Sequence, residues 1–166
     1  MACCRSGETL GARFPEFANG TWTIPAERMK GEHGRRREHR VPITTGIAAI
    51  VKRMDRVKRS DLLFPGRSSQ TPMSSMAMLM KLRRMKIEAT VHGFRSSFRD
   101  FAAENNFPRE VAEAALAHVV GGVEGAYLRS DLFELRRDLM QAWSDFCLTG
   151  KSPQQAKTTK LASRRH

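Results

Sequence analysis

The sequence predicts a mainly α-helical domain with a small antiparallel β-sheet near its N-terminus. Apolar residues recur at three- and four-residue spacing from residue 47 onward, which is typical of amphipathic helices. Two short stretches, 21–24 and 39–43, are instead predicted as strands joined by a basic loop. The chain has 166 residues, of which 40% are hydrophobic, so it suits one domain with a filled core.

Two helices are predicted in the N-terminal part of the chain besides these strands. The first is expected over residues 6–17, although Pro15 interrupts its pattern. Thr44 or Thr45 suits the N-cap of the second, and residues 62–64 follow it as a brief strand or an extended link. The apolar face of the second helix is expected to comprise Ile47, Ile50, Val51, Met54 and Val57.

The remainder of the chain is predicted to be helical. One helix covers residues 76–85 and ends in lysine and arginine, which suits the helix dipole. Thr90 is expected to cap the next helix, and another runs from Pro108 to about residue 118. The last begins near Asp131 and is expected to bury Leu132, Leu135, Leu139, Trp143 and Phe146.

Positive charge dominates the composition. Lysine and arginine number 29 against 17 acidic residues, so the formal net charge is +12 and the pI is about 10.6. Because so large an excess favours a polyanionic partner, the composition indicates nucleic acid. There are two alternatives: the basic composition serves only solubility, or the partner is an anionic membrane surface.

Composition also argues against several classes of protein. No apolar run approaches the ~20 residues of a membrane span, and the first residues lack the apolar stretch of a signal peptide. Cys3, Cys4 and Cys147 lack metal-type spacing, so neither a zinc site nor a disulfide framework is expected. The sequence therefore predicts a soluble cytoplasmic protein with no metal, no cofactor and no membrane contact.

Four polar residues stand out among apolar neighbours. His92 and Arg95 are three residues apart, which places them on one face of a helix expected to be substantially buried. A buried arginine needs an anion, and no acidic neighbour is obviously placed to supply one. His118 ends an apolar run, and Tyr127, the one tyrosine of the chain, follows nine residues later. Each of them alone is more often structural than catalytic.

Together these residues resemble the signature blocks of the tyrosine recombinases, and most closely the integrases of prophages and genomic islands. The blocks are Thr-Val-His-Gly-Phe-Arg-Ser-Ser-Phe-Arg-Asp at 90–100, Leu-Ala-His at 116–118 and Ala-Tyr-Leu-Arg-Ser-Asp at 126–131. Arg5 and Glu8 match the family's first arginine block. The resemblance covers roughly residues 5 to 148. It implies the tyrosine recombinase catalytic-domain fold, with site-specific DNA recombination and integration as the function.

The resemblance implies a role for each matching position. Tyr127 matches the nucleophile, which attacks a DNA phosphodiester and leaves a 3′-phosphotyrosyl bond. Arg5 and Arg95 match the two arginines that grip the scissile phosphate. His92 and His118 match the two histidines around that phosphate.

Two further matches complete the predicted site. Lys30 matches the hairpin lysine that acts as the acid toward the departing 5′-oxygen, and Arg28 and residues 35–37 place other basic groups close to it. Glu8 matches an acidic residue that supports the site. With no evident metal site, arginine forks are the natural groups to neutralise the phosphate charge.

The resemblance also implies partners and a location. Double-stranded DNA at attachment sites is the expected substrate. Self-association on that DNA is expected, since four protomers act together in the family. The expected location is the bacterial cytoplasm, in association with the nucleoid.

The domain organisation departs from that of the family. The family places a separate core-binding domain before the catalytic one, whereas only four residues precede Arg5. Residues 1–149 are therefore expected to form an N-terminally clipped catalytic domain, and residues 150–166 a basic, disordered tail. A non-catalytic DNA-binding remnant of a truncated integrase is the main alternative. A type IB topoisomerase and an unrelated basic RNA-binding protein are the others.

Overall fold

A small sheet lies near the N-terminus of the protein, whose computed structural model describes residues 1–31, 36–118 and 131–153. Its three antiparallel strands lie in the order β1-β2-β3, with β1 at Phe17–Ala18, β2 at Thr21–Ile24 and β3 at His39–Pro42. The predicted pairing of two strands across the basic loop is confirmed. Strand β1 is an addition that the sequence analysis did not foresee.

Helices make up most of the regular structure in the described part of the chain. Two follow turns that contain the predicted capping groups: Thr44 accepts a hydrogen bond from the backbone amide of Ile47 at 3.3 Å, and Thr90 accepts one from Gly93 at 3.0 Å. The helices are α1 (Ser6–Leu10), α2 (Thr45–Asp55), α3 (Met76–Arg84), α4 (Gly93–Glu104), α5 (Arg109–Ala115) and α6 (Phe133–Thr149).

The core lies where α4, α5 and α6 pack against one another and against the sheet. Phe98 and Phe101 of α4 contact Trp143 of α6, with ring centroids 5.7 Å and 5.2 Å apart. Trp22 of β2 is 2% exposed and Val41, its partner on β3, is fully buried. The mainly helical class with a small sheet is therefore observed, and this core holds α4, the helix that bears Arg95.

The prediction of one helix over residues 6–17 was wrong. Helix α1 ends at Leu10, a 3-10 turn follows at Phe14–Glu16, and Phe17 lies in β1. Pro15 has no amide hydrogen for a continuing α-helix. Phe17 instead stacks on Trp22, with ring centroids 5.2 Å apart and planes inclined by 9°. The aromatic stack favours a strand over a further helical turn.

Some predicted core positions are in fact exposed. Leu135 is 55% exposed, because the buried stripe of α6 instead contains Phe133, Arg136 and Leu139. Val57 lies beyond the end of α2 and is 62% exposed. For Leu135 the apolar spacing gave the helical period but misjudged which residues the neighbouring helices cover. For Val57 it placed the end of the helix too late, since α2 ends at Asp55.

Candidate active site

Arg95 lies at the centre of the candidate site. It shares the buried face of α4 with Phe98 and is only 6% exposed, as the sequence predicted. Its Nη1 donates a hydrogen bond to the backbone carbonyl of Cys3, and its Nη2 donates one to the carbonyl of Leu116 at 2.7 Å. The same Nη2 lies 3.0 Å from Nε2 of His118. The guanidinium therefore joins the N-terminal segment, α4 and the chain that follows α5.

The partners of Arg95 are two carbonyl oxygens and a ring nitrogen. These contacts satisfy part of its hydrogen-bonding capacity, but none of them supplies a negative charge. Its Nε atom is buried with no hydrogen-bond partner in the described structure. A negatively charged ligand is the partner that such a group still lacks.

Arg5 and Glu8 form a second part of the same cluster, around the first turn of α1. The Arg5 side chain pairs with the Glu8 carboxylate at 2.9 Å, and the Arg5 amide donates to its other oxygen at 2.7 Å. Glu8 is 2% exposed. A buried carboxylate at a helix N-terminus is favourable, because it accepts hydrogen bonds from groups that would otherwise lack partners.

Arg5 lies close enough to Arg95 to affect the pKa of its guanidinium. Burial lowers the pKa of the Arg95 guanidinium, and the positive charge of Arg5 lowers it further, whereas the Glu8 carboxylate opposes the shift. Bringing two guanidinium groups together in this way costs free energy. An anion bound by both would offset that cost, so the arrangement favours a ligand such as phosphate.

His118 completes the cluster and is held from both sides of its ring. Nε2 faces Arg95, and Nδ1 lies 2.6 Å from a carboxylate oxygen of Glu113. The other oxygen of Glu113 pairs with Nε of Arg99 at 3.1 Å. The structure thus brings together four of the residues that the sequence predicted, namely Arg5, Glu8, Arg95 and His118.

Comparison with known proteins gives consistent relatives. Prophage integrase IntA of Escherichia coli K12 is 38% identical over 152 residues, which are 87% of this chain and 36% of the relative. Prophage integrase IntS of the same strain and the integrase of Shigella phage Sf6 are each 31% identical over 137 residues, 79% of this chain and 34% of theirs. Over most of its own length the chain is similar to these prophage and phage integrases. It spans about a third of the length of these relatives.

No family model matches the chain, and no solved structure matches it. The helical architecture with its three-stranded sheet is compatible with an integrase domain. In the part of the chain that the structure describes, no helix is long and apolar enough to cross a membrane, and no group of three or more His, Cys, Asp or Glu side chains is placed to hold a metal ion.

Two residues of the predicted site, His92 and Lys30, are exposed. His92 directly precedes α4, where its carbonyl accepts the amide of Arg95 at 3.0 Å, so the expectation that it is buried beside Arg95 was wrong. At the end of a helix its side chain is free of the packing that buries Arg95 one turn later. Lys30 is also exposed, in the loop that leads from β2 toward β3.

The basic residues near Lys30 differ in how they are held. Arg28 donates to both oxygens of Glu16, at 2.6 Å and 2.7 Å, and to the carbonyl of Gly11. Arg36 donates to the carbonyl of Gly31 at 2.8 Å. Arg28 therefore holds the N-terminal segment together, whereas Lys30 is exposed to solvent.

Tyr127 lies outside the described residues, and so does the tail from residue 154 onward. Both flanks of the segment that contains Tyr127 are described. On one side His118 contacts Arg95. On the other side Asp131 pairs with Arg136 at 3.0 Å, and Arg136, which is 1% exposed, donates to the carbonyl of Arg40 on β3 at 2.7 Å. These contacts fix the chain on either side of the tyrosine.

His39 is a polar residue of this region that sequence reasoning treated only as part of a strand. Burial lowers its pKa to about 4, and the positive charge of Arg136 acts in the same direction, whereas Glu8, the Ala115 backbone and Asp131 oppose the shift. One feature of the sequence could have indicated a buried polar cluster near His39. Arg136 interrupts a largely apolar stripe on α6 at helical spacing. A charged residue on such a stripe indicates a buried polar cluster.

Proposed function

We propose that residues 1–149 form the catalytic domain of a tyrosine recombinase, and that this domain cleaves and rejoins double-stranded DNA through Tyr127. The observation that carries the proposal is the proximity of Arg5 and Arg95 beside His118, with no carboxylate among the hydrogen-bond partners of Arg95. The relationship to prophage integrases supports the same reaction class.

The cluster has the chemistry that a scissile phosphate requires. A phosphodiester carries negative charge that repels an attacking oxygen, and its oxygens carry the charge of the transition state. Arg5 and Arg95 offer planar guanidinium groups, each of which can bind two phosphate oxygens in fixed geometry. Groups held in advance for such charge usually supply much of the rate enhancement. We assign Glu8 the role of holding Arg5 in place.

In the proposed reaction the phenolic oxygen of Tyr127 forms a bond to phosphorus, and the bond from phosphorus to the 5′-oxygen breaks. The tyrosine passes its proton to a histidine of the site, and the departing 5′-oxygen gains a proton from Lys30, to which we assign that donation. His92 and His118 would contact the phosphate. Attack by a 5′-hydroxyl on the phosphotyrosyl bond reverses the step, so rejoining needs no external energy source.

The substrate proposed is double-stranded DNA containing an attachment site, and site-specific integration would require several copies of the chain on the DNA. The net charge of +12 supports binding to a phosphate backbone. Arg40 and Lys30 lie on or beside the hairpin and are exposed, which suits contact with such a backbone.

Covalent trapping tests the proposal directly. The wild-type chain and Tyr127→Phe are incubated in EDTA with duplex DNA that carries a nick or a bridging phosphorothiolate, which prevents religation. We expect a denaturant-resistant adduct with the wild type alone, because a phenylalanine ring has no oxygen to attack phosphorus. DNA affinity should be nearly equal for the two proteins.

The alternatives give different results in the same experiment. An equal yield of adduct from Tyr127→Phe would show that another residue is the nucleophile. DNA binding without any adduct from the wild type would indicate the non-catalytic DNA-binding remnant instead. Loss of the adduct in EDTA would indicate a metal-dependent mechanism.

A further inference from the structure

Glu113 links the candidate site to the surface of the molecule through a continuous line of polar contacts. One carboxylate oxygen lies 2.6 Å from Nδ1 of His118, and the other pairs with Nε of Arg99 at 3.1 Å. On the far side of the imidazole, Nε2 of His118 lies 3.0 Å from Nη2 of Arg95. The Glu113 side chain is only 12% exposed, although His118 is 42% exposed.

The hydrogens in this line have one consistent arrangement when the imidazole is neutral. Arginine nitrogens donate and never accept, so Nε2 of His118 must accept the hydrogen bond from Arg95. The ring proton then lies on Nδ1, which donates it to Glu113. Arg99 faces the other oxygen of Glu113 as an ion pair without a hydrogen bond, so among the described contacts the carboxylate accepts its side-chain hydrogen bond from His118. The carboxylate therefore meets the geometry that selects one imidazole tautomer.

The backbone explains why His118 meets Glu113, five residues earlier in the chain. Helix α5 ends in a left-handed turn at Ala117, whose φ is +50°. The amide of His118 then donates to the carbonyl of Glu113 at 3.0 Å, and the amide of Ala117 to that of Ala114 at 3.1 Å. This is the Schellman arrangement of a helix C-terminus, and it folds the chain back over the last turn.

We propose that Glu113 is a positioning residue that keeps the Nδ1–H tautomer of His118 and aims its Nε2 toward Arg95 and the phosphate site. The part played in cleavage rests on the proposed function, whereas the tautomer itself does not. His118 lies beyond the end of the helix and is partly exposed, so few packing contacts restrain its ring. The carboxylate supplies the restraint, and Arg99 orients the carboxylate.

Nitrogen-15 NMR of the imidazole ring tests the tautomer in the DNA-free protein. The wild-type chain is compared in alkaline buffer with Glu113→Ala and with Glu110→Ala, which removes the same charge from an exposed position on the same helix. The resonances of His118 are assigned by their loss in His118→Gln. Alanine favours helix, so neither test variant should weaken α5, and circular dichroism checks that each folds.

We expect wild type and Glu110→Ala to show a protonated Nδ1 and an unprotonated Nε2, and Glu113→Ala to show an averaged mixture of tautomers. A proton on Nε2 in the wild type would overturn the proposal. An unchanged Nδ1–H signal in Glu113→Ala would also overturn it, because Arg95 alone would then determine the tautomer. If that variant does not fold, Glu113→Gln serves instead, since a neutral amide is a weaker acceptor than a carboxylate for the Nδ1–H and should likewise disturb that tautomer.

The rate of covalent adduct formation tests the consequence for cleavage. Glu113→Ala should slow adduct formation by about 10- to 100-fold, the usual effect of removing a residue that orients a functional histidine. DNA affinity and the rate for Glu110→Ala should stay at the wild-type level. A wild-type chain with the expected tautomer but no adduct would contradict the proposed function and leave the tautomer assignment standing. A normal rate with an altered tautomer would contradict the positioning role alone.

Discussion

At the scale of single residues, the environment of Arg95 determines what the candidate site can bind. A carboxylate partner would hold the guanidinium but would also repel an incoming phosphate. Backbone carbonyls hold Arg95 without that repulsion, since their partial charges are small and fixed in direction. The arginine is therefore both anchored and available to an anion.

Substitution of Arg95 should affect cleavage far more than binding. We expect Arg95→Ala to slow cleavage by about 10²- to 10³-fold, because one donor aimed at the transition-state charge is lost. Single-turnover cleavage of nicked DNA measures the rate, and a filter-binding titration measures the affinity. Arg53→Ala, which removes the same charge from an exposed position on α2, is the control and should have the smaller effect. A loss of affinity with an unchanged rate would make Arg95 a simple backbone contact.

His39 should make the stability of the fold sensitive to mild acid. Its pKa falls from 6.5 to about 4 on folding, so the unfolded chain binds more protons between these values. Stability is therefore complete above about pH 6.5 and is lost as the pH falls toward 4, by about 3 kcal/mol at most. Urea unfolding at several pH values measures the effect. In His39→Gln the loss of stability between pH 6.5 and about 4 should be clearly smaller than in the wild type. An equal loss would show that other groups cause the pH dependence.

At the scale of secondary structure, the ends of elements decide the geometry more than their middles do. The turn between β1 and β2 has left-handed residues at Asn19 and Gly20, with φ of +49° and +72°. Asn-Gly is a strong signal for a tight hairpin, so this strand pair was open to prediction from the sequence. The turn at Ala117 carries no comparable signal, because alanine is rare in that conformation.

The left-handed turn at Ala117 predicts an unusual stabilising substitution. An alanine with φ of +50° is strained, whereas glycine adopts this conformation without cost. We expect Ala117→Gly to raise the free energy of unfolding by about 1 kcal/mol. Ala114→Gly, three residues earlier inside α5, should lower it by about 0.5–1 kcal/mol. Chemical denaturation measures the free energy of unfolding of both variants. Changes of the same sign in the two variants would contradict the left-handed conformation at Ala117.

At the scale of the whole molecule, charge should govern the encounter with DNA. If about six or more phosphates are contacted, affinity for duplex DNA should fall about a thousandfold or more between about 50 and 200 mM salt. Tyr127→Phe should show the same slope, because the nucleophile adds little to ground-state binding. Fluorescence anisotropy with a labelled duplex measures both slopes. A nearly flat dependence would mean that the net charge of +12 faces something other than a phosphate backbone.

The structure of the whole molecule also shows which of its features could be predicted from the sequence. The helical class and the burial of Arg95 followed from local spacing, since each depends on neighbours three or four residues away. Strands β2 and β3 followed from their residue types, whereas β1 was missed. The contact of Glu113 with His118 depends on a backbone turn that spacing does not encode. The exposure of Leu135 depends on how helices that are distant in sequence pack around α6. Errors therefore arose where tertiary packing or an irregular turn overrides a local pattern.

The neutral partners of Arg95 have a consequence for how quickly the site can respond. When an anion arrives at a carboxylate-paired arginine, an existing ion pair has to dissociate first, and both charges need new solvation. Here no such exchange is needed at Arg95, because the carbonyls of Cys3 and Leu116 can keep their hydrogen bonds while the charge acquires a ligand. The reorganisation energy of binding is therefore low at this position. An arginine anchored in this way is ready for its ligand before the ligand arrives.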